Sequence, residues 1–209
     1  MHIPDGFLSP ETYLTLYAIH TPLLVYSFGK LKIQKKDLPL MTTLSGFAYL
    51  ITSIQIPIAG GTSIHLTGLV ILTKFLGLWK TYLIYSILFF IQSLLLGLGG
   101  ITSIPLLSIS MGWISPFIIL NLDRIVNINF RIKMIFLNSV GIFSSIFVIS
   151  FVLGLQPLIA NQNGKPLFFP YPWDVVFLAM FLGHLPVMVI ESIVSILFFE
   201  FYEKYYKYK

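Results

Sequence analysis

Apolar residues in this chain fall in long, nearly unbroken runs rather than in the alternating or one-faced patterns of soluble strands and helices. Seven stretches can be marked, over residues 13–28, 40–56, 66–78, 81–98, 106–122, 134–155 and 175–202. Most approach about 20 residues, the length a helix needs to cross a hydrocarbon core of about 30 Å. The third is short, because a helix of that length rises only about 20 Å. It either crosses partway or merges with the fourth through Gly77-Leu78-Trp79-Lys80. The pattern predicts an all-α membrane protein of about seven transmembrane helices. Residues 1–209 read as a single multi-pass membrane domain, with no dividing linker and no internal repeat. Asn161-Gln162-Asn163-Gly164-Lys165-Pro166 reads as a turn-rich surface excursion.

Charge placement decides between six and seven spans. Lys30, Lys32, Lys35 and Lys36 follow the first stretch, which marks that loop as cytoplasmic. Alternation from there puts the N-terminus outside and the C-terminus in the cytoplasm. Seven spans leave eleven basic residues inside and only Lys165 outside, with Lys74 inside the short third stretch. Merging the third and fourth stretches would move Arg124, Arg131 and Lys133 outside, so seven fits better. Lys204, Lys207 and Lys209, interleaved with tyrosines, read as an anchor on the anionic leaflet. Asp123-Arg124 at an inner span end looks like an interfacial pair.

Composition agrees with a cell-membrane location. The chain is 56% hydrophobic and 10% charged, against about a quarter charged in soluble domains. The absence of cysteine excludes disulfides, thiolate metal sites and a cysteine nucleophile. Basic residues sit at span ends rather than on one face, which argues against nucleic acid as a partner. The opening Met1-His2-Ile3-Pro4-Asp5-Gly6 has neither the basic nor the apolar part of a secretory signal, so Met1 is expected to remain.

Topology brings two features to the outer face, the N-terminus with His2 and the run from Ala59 to Gly68 that contains Gly60-Gly61-Thr62-Ser63-Ile64-His65. A free amine at Met1, the amide nitrogen of His2 and its imidazole can all reach one ion through fused five- and six-membered rings. A deprotonated amide suits planar Ni(II) or Cu(II), and His65 would complete four nitrogens. Nitrogen-rich tetragonal sites favour these ions over Mg or Ca, and tetrahedral zinc fits less well. The plainer alternative is a frayed His2 and an interfacial His65. His184 and Glu191 lie seven residues apart on one face of the last span, where ionisable groups are functional candidates. The plainer reading, satisfaction of polar groups on other helices, is favoured for both, and His20 reads as structural. No HExxH pair, GxSxG elbow or Walker loop is present, so no catalysis is expected and ATP hydrolysis must come from a partner.

These residues resemble a known family. Met1-His2-Ile3-Pro4-Asp5-Gly6-Phe7-Leu8 resembles the N-terminal signature of the cobalt and nickel S components, CbiM/NikM type, of energy-coupling factor transporters. Gly60-Gly61-Thr62-Ser63-Ile64-His65-Leu66-Thr67-Gly68, Gly99-Gly100-Ile101-Thr102-Ser103 with Ser110-Met111-Gly112, and Gly183-His184-Leu185-Pro186 with Glu191 resemble three further signatures. The resemblance implies a seven-helix S component that captures Ni(II) or Co(II) outside the cell through Met1, His2 and His65. It implies partners too: a membrane T component, an ATPase pair and often a small accessory membrane subunit. No organic cofactor is implied. Pro105-Leu106-Leu107, Leu98 and Ile64 depart from the family pattern and remove polar groups near the site. Two other classes compete: an S component for an organic, vitamin-like substrate, and an intramembrane enzyme, for which only His184 and Glu191 are available.

Overall fold

The computed structural model describes residues 1–31, 34–57 and 61–206. Lys32, Lys207 and Lys209, used above for orientation, and Ala59 and Gly60 of the outer run lie outside them. Among the described residues six long helical elements follow one another. They are α1 (Pro10–Lys30), α2 (Leu38–Ser53), α3 (Leu69–Ile91), α4 (Ile101–Ile125), α5 (Phe130–Gly154) and α6 (Trp173–Tyr206). A wide helical turn, Gln92–Leu96, continues α3. Two short antiparallel ribbons complete the fold, β1 (Ile56–Pro57) with β2 (Ser63–Ile64) and β3 (Asn161–Gln162) with β4 (Lys165–Pro166). The second ribbon is the expected excursion, and it turns at Asn163 and Gly164, both with positive φ.

The protein is a multi-pass, all-α membrane protein. Leu69–Leu96, Ile101–Ile125, Phe130–Ile159 and Trp173–Tyr205 are long and apolar enough to cross a membrane, and α2 is apolar but shorter. Its surface is apolar where a soluble protein's is polar. Phe143, Phe147 and Phe151 on α5 and Leu178, Leu182 and Val189 on α6 point outward, as lipid-facing side chains do. Between helices the packing uses small polar groups. Ser115 Oγ on α4 lies 2.8 Å from Ser144 Oγ and 2.7 Å from Ser145 Oγ on α5. Such hydroxyl contacts let helix backbones approach closely in a bilayer.

The expected third and fourth stretches form a single element, α3, and Gly77 explains how. Its backbone (φ 72°, ψ −179°) is non-helical and open only to glycine. Tyr85 Oη donates to the Thr67 carbonyl at 2.8 Å, although 18 residues separate them. A straight helix would hold these residues about 27 Å apart. The chain therefore folds back at Gly77, with a short leg from Leu69 and a long leg running on to Gln92.

Ion pairs gather at the Gly77 end of the bundle. Lys74 Nζ lies 2.8 Å from Asp123, Lys133 Nζ 3.0 Å from the same carboxylate, and Lys80 Nζ 3.0 Å from Asp37. Asp123 was expected to pair with Arg124. Neighbours along a helix point to different faces, and Asp123 instead takes lysines from α3 and α5. The opposite end holds Met1, His2, His65 and the Gly99-Gly100 turn.

Candidate metal centre

The first five residues are held in an extended run against the start of α4. Gly100 N donates to the Ile3 carbonyl at 2.7 Å, and Ser103 Oγ lies 2.9 Å from the same oxygen, sharing its one proton with the Gly100 carbonyl at 2.8 Å. The Asp5 carboxylate accepts from Ile101 N (3.2 Å), Thr102 N (2.9 Å) and Thr102 Oγ1 (2.6 Å), as an acid at a helix N-terminus does. Burial works to raise the Asp5 pKa, but the hydroxyl and N–H of Thr102 and the N–H of Ile101 outweigh it and hold the carboxyl below its usual value. Glycine is needed in this turn for close approach. A Cβ on Gly99 would meet His2 Cδ2 at 3.1 Å, and one on Gly100 would run into the Asp5 backbone and carboxylate. Further along, Ser9 N donates to Gln156 Oε1 at 2.8 Å and Ser9 caps α1 through Thr12 N.

This clamp drives the chain's start into the protein. Met1 is 1% exposed, His2 4% and His65 3%. The two imidazole rings lie 4.8 Å apart between centroids, and Phe89 closes over His2 edge-on at 5.7 Å. His65 sits on the turn that leads into α3. Its Nδ1 lies 2.9 Å from the Leu66 carbonyl. A carbonyl can only accept, so Nδ1 carries the proton and Nε2 the lone pair. That Nε2 is buried and has no hydrogen-bond partner. The turn itself is fixed by Glu191, whose carboxylate accepts from Thr67 N and from Gly68 N, the latter at 2.9 Å.

Electrostatics keep this cluster neutral. Burial holds the Met1 amine well below its usual pKa. His2 is lowered to about 3 by burial and by the nearby amine, against a small opposing effect of its bond to Gln92. His65 is lowered strongly by burial, then by the amine, His2 and His184. At neutral pH these nitrogens therefore offer lone pairs rather than protons. Among the described residues no three His, Cys, Asp or Glu side chains gather as a metal site. An ion held here would draw on main-chain nitrogen as well as on the two imidazoles.

The structure brings Met1, His2 and His65 together and leaves His20 apart, where its Nδ1 lies 2.6 Å from Tyr82 Oη. Glu191 takes the plainer of its two readings, as a partner of the His65 turn. His184 bonds the Met180 carbonyl of its own helix through Nδ1 at 2.7 Å, and its Nε2 is buried without a partner. Two amides that touch His2 belong to no signature in the sequence, and Ser63 stands inside one with no role of its own. Gln92 Oε1 lies 3.0 Å from Nε2, Gln55 Nε2 lies 2.7 Å from Nδ1, and Ser63 Oγ accepts from the His2 N–H at 3.3 Å. The available signal was an uncharged amide inside an apolar span, with no motif around it.

Comparison with known proteins gives one consistent picture. The family model described as "CbiM: Cobalt uptake substrate-specific transmembrane region" matches residues 2–207. The "Probable fused nickel transport protein LarMN" of Lactiplantibacillus plantarum is 32% identical over 98% of this chain and 65% of its own length. The "Fused nickel transport protein NikMN" of Rhodobacter capsulatus is 32% identical over 90% of this chain and 57% of its own. The chain thus spans less than two thirds of these fused relatives. A crystal structure of a transition metal transporter superposes with a TM-score of 0.91 at 34% identity, covering 98% of this chain and 93% of that one.

Proposed function

The chain belongs to the CbiM family, the cobalt uptake substrate-specific transmembrane region, and on that premise we propose that it is the substrate-capture component of an energy-coupling factor importer for Ni(II) or Co(II). The ion is cargo, taken from outside and released inward. Four nitrogens hold it: the Met1 amine, the His2 amide, His2 Nδ1 and His65 Nε2. His2 Nδ1, not Nε2, closes the six-membered ring with its own amide nitrogen. A T component, an ATPase pair and an optional small membrane subunit supply the energy. The relatives named for nickel and the family named for cobalt support this choice of cargo.

The observation that carries the reading is the buried, unpartnered Nε2 of His65 beside His2. A buried polar atom without a partner is costly, and an ion bound at its lone pair would satisfy it. Four nitrogen donors, one of them an ionised amide, match the preference of late first-row divalent ions.

The same reading takes the two legs of α3 as two membrane passages, which makes seven, with the N-terminus outside. The fold-back at Gly77 supports it, because both Lys74 and Lys80 then sit at one end with Asp123 and Asp37. Positive charge on one side of the bundle favours that side as cytoplasmic.

The test is Ni(II) and Co(II) titration of purified His65→Ala and His20→Ala proteins. His65→Ala is expected to lose at least 100-fold in affinity with its helices intact, while His20→Ala binds as the native protein does. Equal losses would mean that both histidines act through folding and would remove His65 from the site.

A further inference from the structure

Two glutamine amides flank the His2 imidazole, one on each ring nitrogen, and they differ in freedom. Gln92 is fully buried at the end of the long leg of α3, whereas Gln55 is half-buried in the link between α2 and β1. We propose that Gln92 is a positioning residue that fixes the tautomer and angle of the His2 ring, leaving the lone pair on Nδ1, and that Gln55 is the displaceable occupant of that lone pair. The proposal rests on the metal-capture reading above.

Two hydroxyls on α2 orient the Gln92 amide. Thr52 Oγ1 donates to the Ala48 carbonyl and Ser53 Oγ to the Tyr49 carbonyl, each at 2.6 Å. A hydroxyl has a single proton, so neither has one left for Gln92. Both must accept, and Gln92 Nε2 reaches them at 2.9 and 3.0 Å with its two hydrogens. This turns Gln92 Oε1 towards His2, 3.0 Å from Nε2. An amide oxygen only accepts, so His2 Nε2 carries the ring proton. Nδ1 is then the acceptor, and the Gln55 amide nitrogen donates to it at 2.7 Å. A flipped Gln92 would face two hydroxyls with no proton to give and press its own N–H against His2.

Nδ1 is the nitrogen that can close a six-membered ring with the His2 amide. The buried relay Ala48/Tyr49–Thr52/Ser53–Gln92–His2 therefore prepares the required donor before an ion arrives. Metal-ligating histidines generally depend on such a partner for the other ring nitrogen, and its loss costs about 10- to 100-fold in affinity. Gln55 acts in the opposite sense. Its amide stands where the ion must bind, and its partial exposure lets it swing out. The Ser63 hydroxyl, which accepts from the His2 N–H, is given up in the same step.

The experiment combines 15N NMR of histidine-labelled, metal-free protein with titration by Ni(II). Native protein is expected to show His2 protonated at Nε2 only. Gln92→Leu is expected to show mixed or altered His2 protonation and a 10- to 100-fold loss in affinity. Gln92→Glu keeps an acceptor oxygen towards His2 but loses both hydrogens that bond Thr52 and Ser53, and is expected to keep the His2 proton on Nε2 while affinity falls. Thr52→Val combined with Ser53→Ala frees the Gln92 amide and is expected to fall between native and Gln92→Leu, which covers a poorly folded Gln92→Leu. Gln55→Ala is expected to bind as tightly as native or more so. Native-like His2 signals and affinity in both Gln92→Leu and the Thr52/Ser53 double variant would overturn the proposal. So would a loss in Gln55→Ala as large as in Gln92→Leu. Failure of the native protein to bind Ni(II) or Co(II) would instead strike the metal-capture reading, and the NMR comparison would still judge Gln92.

Discussion

Replacing Gly100 by alanine should detach the N-terminal segment without harming the helices. Gly100 has an extended backbone (φ −91°, ψ 152°) that alanine adopts freely, so no backbone strain is introduced. The added Cβ, however, would overlap the Asp5 backbone nitrogen and carboxylate, and backbone cannot move aside cheaply. Relief requires residues 3–5 to lift from the start of α4. That breaks the two bonds to the Ile3 carbonyl and strains the three to Asp5. A net hydrogen bond is worth about 1 kcal/mol, and the Asp5 bonds are exposed and worth less than buried ones. A docking penalty of roughly 2–4 kcal/mol follows, or about 30- to 700-fold in affinity at 1.4 kcal/mol per decade. Three of the four proposed donors ride on this segment, so metal affinity should fall by that factor. Competition titration with a chromogenic Ni(II) chelator measures it, and circular dichroism checks that helix content is unchanged. Gly46→Ala in α2, where an added Cβ meets nothing within 4 Å, is the control and should bind normally. Native affinity in Gly100→Ala would refute the claim that the docked N-terminus forms the site.

Two further predictions follow from charge. Because the Met1 amine and His65 are held well below their usual pKa values and His2 at about 3, all three are neutral at pH 7, and only the His2 amide has a proton to lose. Affinity for Ni(II) should rise about tenfold per pH unit around neutral pH, with one proton released per ion in calorimetry across buffers. A release of two or more near pH 6 would show that the amine or an imidazole titrates normally and is not buried. A membrane-impermeant label at position 163, on the tip of the β3–β4 ribbon, should react from outside intact cells, and a reporter fused after Lys209 should be active only in the cytoplasm. A cytoplasmic position 163 would overturn the seven-passage reading.

The sequence made the bundle legible because lipid imposes a crude rule. Each crossing needs an unbroken apolar run, and the described helices follow the marked stretches within a few residues. The fold-back was half-visible, since Gly77 and Lys80 marked a break but the left-handed φ of Gly77 is a property of the folded chain. The nearness of His2 and His65 could be anticipated from alternation of sides. What placed them was less so. Asp5, Gly99 and Gly100 acquire their roles only when residues nearly a hundred positions apart dock. Asp123 drew its partners from α3 and α5 rather than from its neighbour Arg124, because pairing follows space and not sequence. Gln55 and Gln92 carry no motif and no charge. Their meaning lies in which atoms their amides face, and hydroxyls on a third segment decide that.

The central claim is that a free α-amine, in register with His2, is a ligand for the ion. It is tested most directly by titrating Ni(II) into protein with the native start and into protein carrying one added N-terminal glycine. The addition moves the amine one residue away and enlarges the chelate, while bilayer burial keeps the helices in place. The account predicts tight binding by the native protein and loss of high-affinity binding by the extended one, with equal helix content. Unchanged affinity in the extended protein would contradict it and leave His65 in need of other partners.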